Sequence, residues 1–336
     1  MDVNPRALIV FDMDGVLIDV SKSYRETSRQ TARNFFGGAT GWDALPDPLF
    51  SLTELAAVKQ TGGLNNDWDL TCQVIRLLCH RIRVNQPPVD SGNPWQNYQK
   101  TISTWDVTPL ANYLRSVDQP LTRLMTEKPE ADSGFITEVY RGDVGTGNII
   151  KQIFQEIYLG KKLFLETSGF PPVLHQDIGL NSLEKLIFEQ HSLEDLTERN
   201  LLAIATGRPR TEAFYPLDTF GLKAYFTIVI TLEDCLAAER EHFKRDGIKQ
   251  SFSKPDPFML DTITDKIGPL PAKRYYLGDM PDDMIAASRA REKFVGIGFT
   301  PTAPDKAGLG KKLRAAGAAH VFDTTASLMT FFSSKR

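Results

Sequence analysis

The 336-residue chain has only three cysteines and five histidines, and neither set has the number or spacing of a disulfide framework or a zinc site. Cys72 and Cys79 fall on one face of an expected helix with Val74, Ile75 and Leu78 and read as small core residues. His175 and His191 lack metal-ligating neighbours at suitable spacing and read as structural. A clustered excess of basic charge is also missing: 39 Lys and Arg face 42 Asp and Glu, a net charge of -3. Affinity for a phosphate backbone requires the opposite, so no nucleic-acid partner is expected. The short run Lys311-Lys312-Leu313-Arg314 reads as the solvated face of a late helix. No apolar run is long enough to span a bilayer, and no membrane partner is expected. The first residues carry no signal-peptide pattern, because the apolar run from Ala7 is short and stops at Asp12 and Asp14. A reducing, cytoplasmic-type compartment is the expectation. No internal repeat is evident, and oligomeric state is not legible.

What is present centres on residues 7–16, ALIVFDMDGV. Five apolar residues in a row read as a strand buried on both faces. The strand stops at two carboxylates one residue apart, followed by Gly15. Two like charges this close need a cation or a proton between them, and the C-terminal end of a parallel strand is where open α/β sheets build their sites. One reading is a metal-assisted site with two acidic residues in different roles. The other is a plain strand followed by an Asp-Gly turn.

The rest of the chain divides by texture. Residues 21–36 read as a helix ended by Gly37-Gly38, residues 52–60 as a second, and residues 68–84 as a clearly amphipathic third. Residues 85–97 are rich in Pro, Gly, Gln and Asn, and the stretch to Asn148 is interrupted by Pro109, Pro120 and Pro129; it reads as an extra insertion with short helical possibilities. Helix returns at 149–158, Pro171-Pro172 breaks it, and 183–189 reads as a helical or hinge segment. From about residue 190 strands and helices alternate, with strands expected at 201–205, 226–230, 274–277, 294–297 and 320–322. Alternation of this kind implies a doubly wound parallel sheet. The expected organisation is an α/β core from 1–20 and 190–336, interrupted by a mainly helical domain from 21–189 that includes the extra insertion at about 85–148.

Parallel strands of one sheet end on the same edge, so the residues just after them can meet. After the first strand stand Asp12 and Asp14; after the second, Thr206, Gly207 and Arg208; after the strand at Tyr275, Gly278, Asp279, Met280, Pro281, Asp282 and Asp283; Lys254 precedes Pro255 in between. This ordered set resembles the haloacid dehalogenase-like hydrolase superfamily, which carries Asp-x-Asp, then Thr or Ser, then Lys, then an acidic pair. The long interval from Asp14 to Thr206 corresponds to the family's type C1 cap, placed on a Rossmann-like core. More narrowly, residues 19–25, the loop Gly62 to Trp68 and residues 205–210 resemble a phosphatase-like subgroup, from which the stretch 85–148 departs.

The resemblance implies a role for each residue. Asp12 would be the nucleophile that becomes an aspartyl-phosphate, and Asp14 the general acid and base. Thr206 would bind a phosphate oxygen with the Gly207 N–H, and Lys254 would stabilise charge. Mg2+ would be held by Asp12, the Asp14 main-chain carbonyl and Asp279, supported by Asp283 and Asp282. Substrate contacts would come from Gly207, Arg208, Tyr24, Arg25, Asn65 and Asn66, although Arg208 and Arg210 equally well hold their loop and the Gly62 to Asp67 loop equally well caps a helix. The implied activity is hydrolysis of a small phosphate monoester, with the cap excluding bulk water. Two other readings remain: a phosphosugar mutase using the same two aspartates, and a non-catalytic protein that binds a phosphorylated ligand or a partner. Phosphonatase chemistry needs a cap lysine marked as a nucleophile, and neither Lys22 nor Lys59 is.

Overall fold

The computed structural model describes residues 6–61, 64, 66–85, 88, 92–127 and 134–334. It divides into two compact units, residues 1–20 with 184–336 and residues 21–183. In chain order the strands are β1 (Ala7–Phe11), β2 (Ile18–Asp19), β3 (Arg83–Val84), β4 (Trp105–Asp106), β5 (Lys185–Leu186), β6 (Asn200–Ala205), β7 (Ile228–Ile230), β8 (Lys273–Gly278), β9 (Val295–Phe299) and β10 (His320–Phe322).

In the first unit, six strands form a sheet in the order β10-β9-β8-β1-β6-β7, with every pairing parallel. The five apolar residues of β1 are all buried, and alternation sends them to opposite faces. Leu8 and Val10 pack in one cluster with Leu260 and Ile263 of the helix Phe258–Ile267 and with Ala286 and Ala287 of the helix Pro281–Arg289. Phe11 meets Phe188 and Phe226 edge-on on the other face, at 5.7 and 5.8 Å between centroids. A strand covered on both sides is what an uninterrupted apolar run dictates.

Register decides what meets at the end of the sheet. Phe11 lies level with Ile204 on one side and with Leu277 on the other. Asp12, Ala205 and Gly278 therefore leave the sheet together, followed at once by Thr206 and Asp279. The chain also crosses from β7 on one flank to β8 on the other side of β1, and such a reversal of strand order opens a crevice at the C-terminal ends of the strands.

The boundary after the inserted domain falls at Leu183, not near residue 190. The segment read as helix or hinge is instead β5, which pairs antiparallel with β2 through Ile18 with Leu186 and Asp19 with Lys185. Leu17 O accepts from Ile187 N, and the buried Phe188 packs on the core sheet. The apolar run Leu186-Ile187-Phe188 ties this short segment to the first unit.

The second unit is built from helices, with β3 and β4 as its one two-stranded ribbon among the described residues. The described residues of the stretch 85–148 pack into this unit. Tyr98, Ile102, Trp105, Leu110, Leu114, Leu121, Leu124, Phe135 and Ile136 share one apolar core with Phe35, Phe36, Val74, Leu78 and Ile153. Three of its prolines do not prevent structure, because they sit where helices begin. Pro94, Pro109 and Pro120 occupy the first turn of the helices Pro94–Ile102, Thr108–Ser116 and Pro120–Thr126, where a missing N–H costs nothing. Pro129 lies outside the described residues. The helix expected to stop at 158 continues as Ile149–Ser168 through a break at Gly160, whose positive φ of 69° and close approach to the Gly179 backbone exclude a side chain. One turn earlier, the buried Glu156 accepts from the main-chain N–H groups of Val173, Leu174 and His175 at 2.9, 2.6 and 3.2 Å, which anchors the chain after Pro171-Pro172. No described helix is long and apolar enough to cross a membrane.

Trp105 tests whether residues 85–148 belong to the core of the second unit. It is buried against Phe35, Phe36 and Phe135, so Trp105→Ala is expected to lower stability by about 3–5 kcal/mol in denaturant unfolding. A loss below about 1 kcal/mol would mean that the stretch packs apart from that core.

Candidate active site

Three carboxylates converge just beyond the C-terminal ends of β1 and β8. Asp12, Asp279 and Asp283 are buried, and each offers an oxygen within 4.8 Å of the others. The Lys254 ammonium lies 2.7 Å from Asp12 Oδ1 and 2.8 Å from Asp283 Oδ1, and its side chain is nearly enclosed. Asp283 sits in the first turn of the helix Pro281–Arg289, where its Oδ2 accepts from Met280 N at 2.9 Å. The Tyr276 hydroxyl donates to Oδ1 of the same carboxylate at 2.8 Å. Asp282, the preceding residue, is buried but stands outside the three-carboxylate cluster.

Two glycines make room for this crowding. Gly15 has φ 75°, and a Cβ there would overlap the Asp279 carboxylate; a Cβ at Gly278 would overlap that of Asp283. Any other residue at either position would push a carboxylate out of the cluster. Gly207 differs, because a Cβ there would meet no protein atom within 4 Å.

On the other side of β1, Thr206 follows β6 directly. Its N–H donates to Ile230 O at 3.0 Å, and its hydroxyl accepts from Arg208 N at 3.2 Å. The Arg208 side chain is buried and turned to carboxylates: its Nε donates to Asp14 Oδ1 at 2.7 Å, and its Nη1 and Nη2 lie 3.1 and 3.0 Å from the two oxygens of Glu184. Asp14 is thus held from behind and stays a quarter exposed in its side chain (24%).

The family model described as "Hydrolase: haloacid dehalogenase-like hydrolase" matches residues 7–291. The chain belongs to the haloacid dehalogenase-like hydrolases. A Phytophthora nicotianae protein named imidazoleglycerol-phosphate dehydratase is 24% identical over 327 residues, covering 95% of this chain and 50% of the relative. The chain thus spans about half the length of the curated relative it matches. Among solved structures, a structural-genomics target aligns over 98% of this chain and 99% of its own at 20% identity with a TM-score of 0.65. A phosphatase from Thermococcus thioreducens aligns over 91% of this chain and 99% of its own at 20% identity with a TM-score of 0.53. At these identities the structures speak to the fold.

For this haloacid dehalogenase-like hydrolase, the charge balance of the cluster is informative. With all three buried carboxylates ionised, one ammonium leaves two negative charges, which suits a hard divalent cation with oxygen ligands. Burial pushes the Asp12 carboxyl up to about 8; Lys254 opposes this, while Asp283, Asp279 and Asp14 add to it. For Lys254, burial favours the neutral amine, but the Asp12 and Asp283 carboxylates outweigh it and hold the ammonium well above its ordinary range. The two directions are compatible, since one ammonium shared between carboxylates keeps its own charge without compensating all of theirs. Burial, then the charge of Asp283, raises the Tyr276 phenol, which stays a neutral donor.

Tyr276 and Glu184 are site residues that sequence reading missed; Tyr276 shows why. Its place two residues before Gly278 on a buried strand is what an ordinary core residue has, and only the fold brings its hydroxyl to Asp283. The residues singled out in the second unit have local surroundings of their own. Tyr24 stacks on Tyr158 with centroids 4.1 Å apart, and Arg25 is buried. Asn66 caps the helix Asp67–Cys79 by accepting from Asp69 N at 2.7 Å, while Gly62, Gly63 and Asn65 lie outside the described residues. Arg210 is half exposed beside Asp234, and His191 beside Glu189 at the surface.

The Asp12 shift has a sign. The folded chain retains a proton that the unfolded chain, with an ordinary value of 3.8, has lost, so without a cation stability falls as pH rises from there to about 8. The midpoint of thermal unfolding of the metal-free wild type should fall more steeply between about pH 5 and pH 8 than that of Asp12→Asn, and added Mg2+ should raise it more at pH 8 than at pH 6. Equal slopes in the two proteins would exclude Asp12 as the titrating group. Tyr276→Phe, which deletes one donor to a charged acceptor, is expected to cost about 1.5–3 kcal/mol in denaturant unfolding. An unchanged midpoint would show that the bond contributes nothing.

Proposed function

We propose that the chain is a magnesium-dependent phosphatase that hydrolyses a small phosphorylated metabolite through an aspartyl-phosphate on Asp12. The observation that carries this reading is the meeting, at one sheet edge, of a buried Asp12 paired with Lys254, a second carboxylate on Asp14, the Thr206 hydroxyl and the Asp279 and Asp283 pair. Asp12, Asp279 and the Asp14 main-chain carbonyl would hold the cation, with Asp283 and Asp282 behind them. When bound, the cation supplies charge neutralisation, so that an anionic nucleophile and an anionic ester can approach.

The chain's own residues perform the remaining steps. Lys254, 2.7 Å from Asp12 Oδ1, favours the carboxylate form of the nucleophile and draws the phosphoryl group toward it. Asp12 attacks phosphorus while the bond to the ester oxygen breaks, and Asp14 gives that oxygen its proton, so the alcohol leaves neutral. Asp14, now a carboxylate, takes a proton from the water that attacks the aspartyl-phosphate, and phosphate is released with both aspartates restored. Thr206 accepts from Arg208 N and keeps its own proton for a phosphate oxygen, and the unobstructed Gly207 lets an oxygen reach its N–H.

The phosphatase from Thermococcus thioreducens is compatible with this reading, and the name of the Phytophthora relative suggests one ester to include, an imidazole-bearing glycerol phosphate. Incubation with a panel of sugar, nucleotide, amino-alcohol and imidazole-bearing phosphate esters should release inorganic phosphate with Mg2+ and not with chelator. Asp12→Asn should reduce that release by more than about 10³-fold. Isomerisation without phosphate release would favour a mutase; no turnover of any ester by folded, Mg2+-loaded protein would rule the phosphatase out.

A further inference from the structure

The contacts of Arg208 form a bracket. Nε and Nη2 both approach Asp14 Oδ1, at 2.7 and 2.6 Å. The other side of the guanidinium makes a fork to Glu184, Nη1 to Oε2 at 3.1 Å and Nη2 to Oε1 at 3.0 Å, and Nη1 also donates to Glu212 O at 3.1 Å. The side chains of Arg208 and Glu184 are each 1% exposed, whereas that of Asp14 is 24% exposed. The main chain is pinned as well: Arg208 N donates to Thr206 Oγ1, and Arg208 O accepts from Leu232 N. A bidentate fork with both partners buried restricts orientation in a way a flexible ammonium does not.

We infer that Arg208 and Glu184 act as a positioning pair for Asp14. The inference rests on the reading of Asp14 as the group that protonates the leaving oxygen. Nε and Nη2 hold Asp14 through Oδ1, so Oδ1 is anchored and Oδ2 is the oxygen that carries the proton to the ester. Glu184 fixes the guanidinium, which would otherwise have other rotamers open to it. Arg208 thereby acts through Asp14 on the second half of the bond exchange, departure of the alcohol, and not on the phosphoryl group. Glu184 is the first residue of the core unit after the inserted domain, far in sequence from every motif around the site.

The prediction is a dependence on leaving group. The full-length protein with Mg2+ is assayed on phenyl phosphate and on p-nitrophenyl phosphate, whose leaving group departs readily without a proton. Arg208→Gln is expected to lower kcat on phenyl phosphate by about 10²-fold, with KM within about twofold, and on p-nitrophenyl phosphate by less than about tenfold. Arg208→Lys keeps the charge but not the fork and should not restore the rate. Because Arg208→Gln leaves a buried carboxylate, the neutralised double variant Arg208→Gln/Glu184→Gln provides a folded control, and its loss should match that of Arg208→Gln within about twofold, as for residues acting through one group. A raised KM with unchanged kcat, equal losses on the two esters, or full activity in the double variant would overturn the pair while leaving the phosphatase reading intact. A wild type inactive on both esters would instead remove that reading, and the pair with it.

Discussion

Burying several carboxylates around a single ammonium is the constraint on which the rest of the first unit depends. Asp12, Asp279 and Asp283 offer oxygens within 4.8 Å of one another, and Lys254 lies 2.7 Å from Asp12 and 2.8 Å from Asp283. Buried charge that is not fully compensated is among the most expensive arrangements a fold can hold. The surrounding structure offsets it by rigid means: a main-chain N–H and a phenol on Asp283, a level strand register, and a sheet whose central strand is apolar on both faces. Proton and cation compete for the same negative charge. An environment that favours protonation of Asp12 when metal is absent also favours the ion when it is present.

Much of this was legible in the chain because it follows from short-range rules. Ala7–Phe11 is a two-sided strand by composition, and Asp12, Thr206 and Asp279 meet because parallel strands end together. The alternation after residue 190 predicts a parallel sheet, and the structure has one. What was not legible depends on partners distant in sequence. Tyr276 looks like any core tyrosine until Asp283 folds back beside it. Arg208, in a loop next to a phosphate-type motif, reads equally as a substrate contact or as a brace for its loop, and only the fold shows its guanidinium turned to Asp14 and Glu184. The pull comes from a residue 24 positions away that no local pattern marks.

The stretch 85–148 was hard to read for a different physical reason. Proline reads as a breaker, but in the first turn of a helix it preorganises φ and removes an N–H that would have had no partner. With Asn93 accepting from Trp95 N and Gln96 N and Asn148 from Lys151 N, residues that read as punctuation mark where helices begin. Periodicity was hard to see because each helix is short, five to nine residues over this span, and contributes only a few anchors to a core shared by the whole second unit. The same locality hid the antiparallel pairing of β2 with β5, which places the domain boundary earlier than composition suggests.

Gly15 and Gly278 show that the acidic cluster is defined as much by missing atoms as by present ones. Each carboxylate they face fills the volume a methyl group would occupy, so acid and glycine form a matched pair across two segments of chain. The cluster is therefore not transferable by copying its ligands alone. Grafting three aspartates onto the strand ends of another parallel sheet would reproduce the charges and not the space that lets them converge. In a lineage, the two glycines are expected to be inherited together with the aspartates or lost with them.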